Sequence, residues 1–90
     1  MTMNRDILTV GGNPERTRLS AYRCITRTQD DPATQVQGMA LALFATCEAL
    51  DINIRDLLTG MERMKNDLNG PYSGTFGALE EYARNEIGRR

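Results

Sequence analysis

The sequence contains no histidine and no tryptophan, and it carries none of the common catalytic motifs. Without histidine, the most frequent general base and a frequent metal ligand are both missing. A P-loop and a GxGxxG motif are absent as well. The adjacent carboxylates Glu80 and Glu81 diverge around a helix, so they do not form an acid-base pair. We therefore expect a protein that is not an enzyme, with no metal and no other cofactor.

Cysteine and long apolar runs are also scarce. Cys24 and Cys47 are too far apart for a CxxC motif or a zinc knuckle, and their apolar neighbours predict that both are buried free thiols. No segment is apolar enough over a sufficient length to cross a bilayer, and no secretory leader is visible. We expect a cytoplasmic protein, in the host cytoplasm if a phage encodes it, that has no membrane partner.

Neither sign of charge is in excess, since the sequence contains 11 Lys and Arg and 12 Asp and Glu, for a formal net charge of -1. The balance between 40% hydrophobic and 26% charged residues is typical of a folded globular chain. Gly11 and Gly12 separate a short apolar stretch from the rest. We predict an N-terminal arm over residues 1–12 and a single helical domain over residues 13–90.

Four helices are predicted from their end signals. Asn13-Pro14 and Asp31-Pro32 open helices over residues 14–28 and 31–50, although β-branched residues leave a strand possible near residue 25. Asn53 opens a third helix, and its short connection to the second predicts a helical hairpin or a sharp corner. After the Asn69-Gly70-Pro71 stop, Ser73 or Thr75 is expected to cap a last helix. The predicted fold is therefore all-α: a small bundle of three to four helices with a helical hairpin and an extended N-terminal arm.

The second predicted helix is apolar around much of its circumference. Its segment 39–45 has no charged side chain. A short chain can exclude water from such a surface in few ways other than association with a second copy of itself. We predict a homo-oligomer whose interface contains Val36, Met39, Ala40, Leu43 and Phe44.

Two further segments are candidates for binding a partner or a ligand. The first predicted helix is rich in arginine, and the loop around Tyr72 places an aromatic ring among hydroxyl donors just before a helix. The alternatives are a solvated helix face and a tyrosine that packs back on the core. The candidate residues are Arg16, Arg18, Tyr22, Arg23, Arg27, Tyr72, Ser73 and Thr75.

Residues 45–57 have about the length of a helix-turn-helix, which is a DNA-binding motif. Asp51 stands where the tight turn usually has glycine, and the second helix offers Arg55 for a contact with phosphate. That helix also carries the acidic residues Asp56, Glu62 and Asp67. DNA is therefore the weakest of the partner alternatives.

The short length, the lack of histidine and the absence of enzyme motifs are typical of small proteins encoded by phages and mobile elements. The leading hypothesis is a homo-oligomeric helical interaction protein that inhibits or regulates a host protein. One alternative is a module that sequesters an anionic nucleotide between subunits, and another is a helix-turn-helix regulator that binds DNA.

Overall fold

The computed structural model describes residues 13–90, and this part of the chain is entirely helical where it is regular. The predicted all-α bundle is confirmed, while the predicted arm over residues 1–12 lies outside the described residues. No helix described here has the length and apolarity needed to cross a membrane. The helices are α1 (Pro14–Thr26), α2 (Pro32–Ala49), α3 (Ile54–Asn66) and α4 (Thr75–Tyr82), and α4 continues into a π-helical turn (Ala83–Ile87).

The first two helices begin at the predicted caps. The Asn13 side chain accepts a hydrogen bond of 3.2 Å from the Arg16 amide. Asp31 accepts from both the amide and the hydroxyl of Thr34, at 3.1 and 2.7 Å. These bonds satisfy amides that would otherwise be free in the first turn, and proline follows each cap where no amide hydrogen is required. Residues 14–26 are therefore helical, and the strand alternative is not adopted.

The tight turn between α2 and α3 depends on one unusual backbone conformation. Asp51 has a φ of 55°, in the left-handed region that glycine normally occupies at a helix end. The Ile52 amide then donates to the Cys47 carbonyl at 2.8 Å, and the Asp51 amide donates to the Glu48 carbonyl at 3.5 Å. Asn53 caps α3 through two amide bonds. The short connection that the sequence predicts is confirmed.

The start of α4 differs from the prediction. Gly74 occupies the cap position and makes no side-chain hydrogen bond, so the predicted caps Ser73 and Thr75 are wrong. The loop enters the helix through successive turns, with the Thr75 amide bonded to the Tyr72 carbonyl at 3.0 Å. This path places Thr75 inside the first turn, where it is buried.

The described part of the chain has a small core. The hydrophobic residues buried in it are Cys47, Tyr72 and Ile87, and the helices share few contacts with one another. Polar contacts help to hold them, including a Lys65–Glu80 ion pair of 2.9 Å between α3 and α4. Within residues 13–90, many apolar side chains are therefore left exposed.

Candidate functional site

The largest exposed apolar side chains are concentrated on α2. Leu41 is 75% exposed, Val36 58%, Phe44 53% and Leu43 40%. From Pro32 through Cys47 the helix has no charged side chain. A helix that is apolar around most of its surface is normally buried, yet of α2 only Gln35 and Cys47 are buried in the single chain. Residues 13–90 therefore leave most of this helix uncovered.

An open groove of about 1020 Å³ lies between α2 and the first turns of α3. Every residue that lines it is uncharged. On the α2 side the lining residues are Thr34, Gln37, Gly38, Ala40, Leu41, Leu43, Phe44 and Ala45, and on the α3 side they are Ile54 and Leu58. Leu58 is 48% exposed, so both walls present apolar carbon to solvent.

The groove contains part of the predicted oligomer interface. Ala40, Leu43 and Phe44 line it, whereas Val36 is exposed on α2 without lining it, and Met39 is half-buried within the chain. Sequence reasoning missed the strip of α2 formed by Thr34, Gly38, Leu41 and Ala45. The alternating spacing of four and three residues would have indicated that these residues share one helix face.

The arginines of α1, together with its C-terminal cap Arg27, divide between two faces of the helix. Arg16, Arg23 and Arg27 are seven and four residues apart, which places them on one side, and all three are exposed. We call these three residues the arginine strip. It extends over roughly 16 Å along the axis at 1.5 Å per residue. No acidic group in the described part of the chain forms an ion pair with it.

Arg18 lies on the opposite, half-buried face of α1, together with Tyr22 and Ile25. Its Nη1 atom donates a hydrogen bond of 2.8 Å to the Pro71 carbonyl. This contact joins α1 to the loop that contains Tyr72. The structure therefore brings two of the predicted binding segments together, and it uses Arg18 to do so.

Tyr72 packs back on the core and is only 6% exposed. Its hydroxyl oxygen has no hydrogen-bond partner among residues 13–90. Next to it Ser73 is exposed, whereas Thr75 is buried at the start of α4. The ring therefore follows the alternative interpretation, in which the loop is anchored by its tyrosine, and the ligand role of this loop stays a prediction.

No protein-family model matches the chain, and no curated protein or solved structure is significantly similar to it. Any assignment of function therefore depends on the residues themselves.

The two cysteines differ in environment. Cys47 is 3% exposed on α2, whereas Cys24 is exposed on α1, so the prediction that both thiols are buried is wrong for Cys24. Its apolar neighbour Ile25 faces the bundle, but Cys24 itself lies on the solvent side of the helix next to Arg23. Within residues 13–90 no three Cys, Asp or Glu side chains cluster closely enough to hold a metal ion.

Three titratable side chains have displaced pKa values, and each displacement has a structural cause. Hydrogen bonds from Thr34 hold the pKa of Asp31 below its usual value. The hydrogen bond and ion pair between Lys65 and Glu80 raise the pKa of the lysine and lower that of the glutamate. A helix cap and a surface ion pair account for these shifts without a catalytic role.

Proposed function

We propose that this protein acts without catalysis, as a homo-oligomeric helical interaction protein. The observation that carries the proposal is the uncharged groove of α2 and α3, which the described residues 13–90 leave open. A contiguous apolar surface of this kind is typical of a site that another protein covers. The lack of histidine and the structural origin of the displaced pKa values support a role without chemistry.

The energetics favour covering this surface. Full burial of one leucine or phenylalanine side chain stabilises a protein by about 1.5–3 kcal/mol. Leu41, Phe44 and Leu58 each keep about half or more of their surface exposed. Their burial would therefore stabilise the assembly by several times RT. Small domains are only marginally stable on their own, and self-association would stabilise this one by mass action.

Light scattering at several protein concentrations tests the self-association. We expect the wild type to be a dimer or a larger assembly, and Leu41→Lys to shift it to the monomer. Leu68→Lys is the matched control, since Leu68 is 82% exposed but lies outside the groove. A wild type that stays monomeric at all concentrations, or a Leu41→Lys variant that assembles like the wild type, would count against the proposal.

The arginine strip of α1 is the proposed surface for a second protein. Three exposed guanidinium groups without ion-pair partners in the described region suit a partner with carboxylates at helical spacing. Electrostatic complementarity of this kind contributes mostly to specificity and to the rate of association. We propose that the partner is a host protein that the chain inhibits or regulates in the cytoplasm, with a phage or mobile element as the source.

Cys24 offers a direct test of this surface, because it is exposed beside the arginine strip. A photoreactive maleimide on Cys24 should cross-link a specific protein in an extract of the cells that express the gene. Arg16→Glu combined with Arg23→Glu should abolish the cross-link and leave the helical circular dichroism unchanged. Arg55→Glu, an exposed arginine on α3, is the control that should retain it. Equal cross-linking by the two variants would remove the arginine strip from consideration.

Nucleotide sequestration is a second candidate, because the Arg18–Pro71 bond brings a guanidinium group to the Tyr72 loop. Thermal stabilisation by a panel of mono- and dinucleotides tests it, since a ligand that binds only the native state raises the melting temperature. DNA binding would instead appear as salt-sensitive retention on duplex DNA. A response in either assay would displace protein binding from the leading position.

A further inference from the structure

We infer that α1 is a hinged helix, which opens as a unit about residues 27–31 while α2, α3 and α4 stay folded, and that Arg18 and Arg90 hold it closed. Neither self-association nor a partner for the arginine strip is required for this movement. Three observations support it: the incomplete burial of α1, the hydrogen bonds that two guanidinium groups make to α1 and its linker, and the irregular backbone of that linker.

The side chains of α1 that meet the other helices stay partly in solvent. No residue of α1 is fully buried. Arg18, Tyr22 and Ile25, on its inner side, are each half-buried, whereas α2, α3 and α4 each contain a fully buried residue. Apolar stabilisation scales with the area removed from water. Apolar packing therefore supplies only part of what holds α1 in place.

Arg18 attaches the first half of α1 to a distant loop. Its Nη1 atom donates a hydrogen bond of 2.8 Å to the carbonyl of Pro71, between α3 and α4. The acceptor is a neutral peptide oxygen, and hydrogen bonds from a guanidinium group are stronger when the acceptor is a carboxylate. The first attachment of α1 is therefore specific in geometry and breakable.

Arg90 holds the other end. Its Nη1 atom donates to the carbonyls of Thr28 and Asp30, at 2.8 and 3.3 Å, and to the side-chain oxygen of Gln35. Gln35 on α2 in turn donates to the carbonyl of Ile25 in the last turn of α1, at 3.0 Å. We call the contacts of Arg18 and Arg90 the guanidinium latch.

The linker between α1 and α2 has the properties of a hinge. Residues 27–31 are neither helix nor strand. Among the described residues, no backbone carbonyl accepts a hydrogen bond from the amides of Thr28, Gln29 or Asp30. The cap of α2 begins at Asp31, which bonds Thr34 within its own helix. A rotation in the linker therefore leaves the hydrogen bonds of both helices intact.

Opening α1 releases both guanidinium groups and uncovers Tyr22 and Ile25. Within residues 13–90, neither Arg18 nor Arg90 forms an ion pair with a carboxylate, so the closed position is stabilised by bonds to neutral oxygens. Loss of one hydrogen bond to a charged group changes such an equilibrium by about tenfold to a hundredfold. Small changes at the latch should therefore alter how often α1 opens.

The experiment measures hydrogen exchange of single amides by NMR at one protein concentration, in water and in low concentrations of urea. We expect the hydrogen-bonded amides of α1 to exchange at similar protection and faster than those around Cys47 in α2. Their rates should depend only weakly on urea, because opening one helix exposes less surface than unfolding the chain.

Arg90→Gln should raise the exchange rates throughout α1 by about tenfold. Arg89→Gln is the matched control, because Arg89 is exposed, removes the same charge one position earlier and lies outside the latch. It should change the rates by less than about twofold.

Each of three results would overturn the inference. Exchange of α1 with the same rates and urea dependence as the amides around Cys47 would mean that α1 opens only when the chain unfolds. Rates that rise steadily towards Asn13 would indicate fraying from the helix end and not movement as a unit. Unchanged α1 rates in Arg90→Gln would show that Arg90 does not hold the helix.

Discussion

The guanidinium group of Arg90 donates a hydrogen bond to the side-chain oxygen of Gln35, which is 1% exposed. The same Nη1 atom bonds the carbonyls of Thr28 and Asp30, at 2.8 and 3.3 Å. The amide of Gln35 in turn donates to the Ile25 carbonyl at 3.0 Å. The buried Gln35 of α2 is therefore bonded to the end of α1 and to Arg90, three residues beyond the π-helical turn, and Arg90 in turn bonds the loop that follows α1.

We expect Gln35→Ala to lower the free energy of unfolding by about 1–3 kcal/mol, because it removes the side-chain donor to the Ile25 carbonyl and one of the acceptors of the Arg90 guanidinium. Urea unfolding at a fixed protein concentration measures the change. Gln29→Ala, at an exposed glutamine, should stay within about 0.5 kcal/mol of the wild type. If Arg90→Ala costs as much in the Gln35→Ala background as in the wild type, the two side chains are not coupled.

Asp51 stores backbone strain that glycine would relieve. A left-handed conformation costs an L-residue about 1–2 kcal/mol, and Asp51 has a φ of 55°. We expect Asp51→Gly to raise the free energy of unfolding by about 1 kcal/mol, and Asp51→Val to lower it. The same aspartate-to-glycine change at Asp56, inside α3, should destabilise. Destabilisation by Asp51→Gly would show that its carboxylate matters more than its backbone angle.

Stability should decline in acid. The pKa values of Asp31 and Glu80 lie below their usual values in the folded chain. Their contribution to the free energy of unfolding is therefore complete above about pH 5. It is lost as the pH falls through their folded-state pKa values, below about 4. The pKa of Lys65 is raised in the folded chain, so its contribution to stability is lost at alkaline pH, as the pH rises above about 10.5.

Glu80→Gln isolates the ion pair. It should lower stability at pH 7, and its difference from the wild type should shrink as the pH falls through the lowered folded-state pKa of Glu80. Glu81→Gln is the control, because Glu81 is exposed and lies outside the ion pair with Lys65. Urea denaturation at pH 3, 5 and 7 provides the comparison. A Glu80→Gln deficit that persists unchanged at pH 3 would contradict the assignment.

The two thiols should react at different rates. A disulfide reagent should modify the exposed Cys24 at once, whereas Cys47 reacts only when α2 opens. Absorbance should therefore show a fast phase and a slow phase of equal size, and Cys24→Ser should remove the fast one. Two fast phases in the wild type would mean that the contacts around Cys47 open more easily than the structure indicates.

Local chemistry in the sequence predicted most helix boundaries. Asn13, Asp31 and Asn53 each cap the helix that they were expected to open, because a short polar side chain can reach a free amide two or three residues ahead. The cap of α4 could not be predicted in this way. Gly74 takes that position because the turns from Gly70 onward determine where the helix begins.

The candidate surfaces were predictable in composition and not in orientation. The apolar character of α2 and the arginines of α1 are visible in the sequence, but which face of each helix meets solvent is not. Leu41 lines the groove while Met39 turns inward, and Arg18 bonds the Tyr72 loop while Arg23 stays in solvent.

The sequence by itself determined the helices and the caps of α1, α2 and α3, since these depend on residues within a few positions of one another. Only the tertiary structure decided that Gln35 is buried, that Tyr72 anchors its loop and that the groove stays open. These features depend on contacts between residues far apart in the chain, such as Arg90 with Gln35 and Arg18 with Pro71. Helical periodicity limits which residues share a face, but the packing of one helix on another selects the face that is covered.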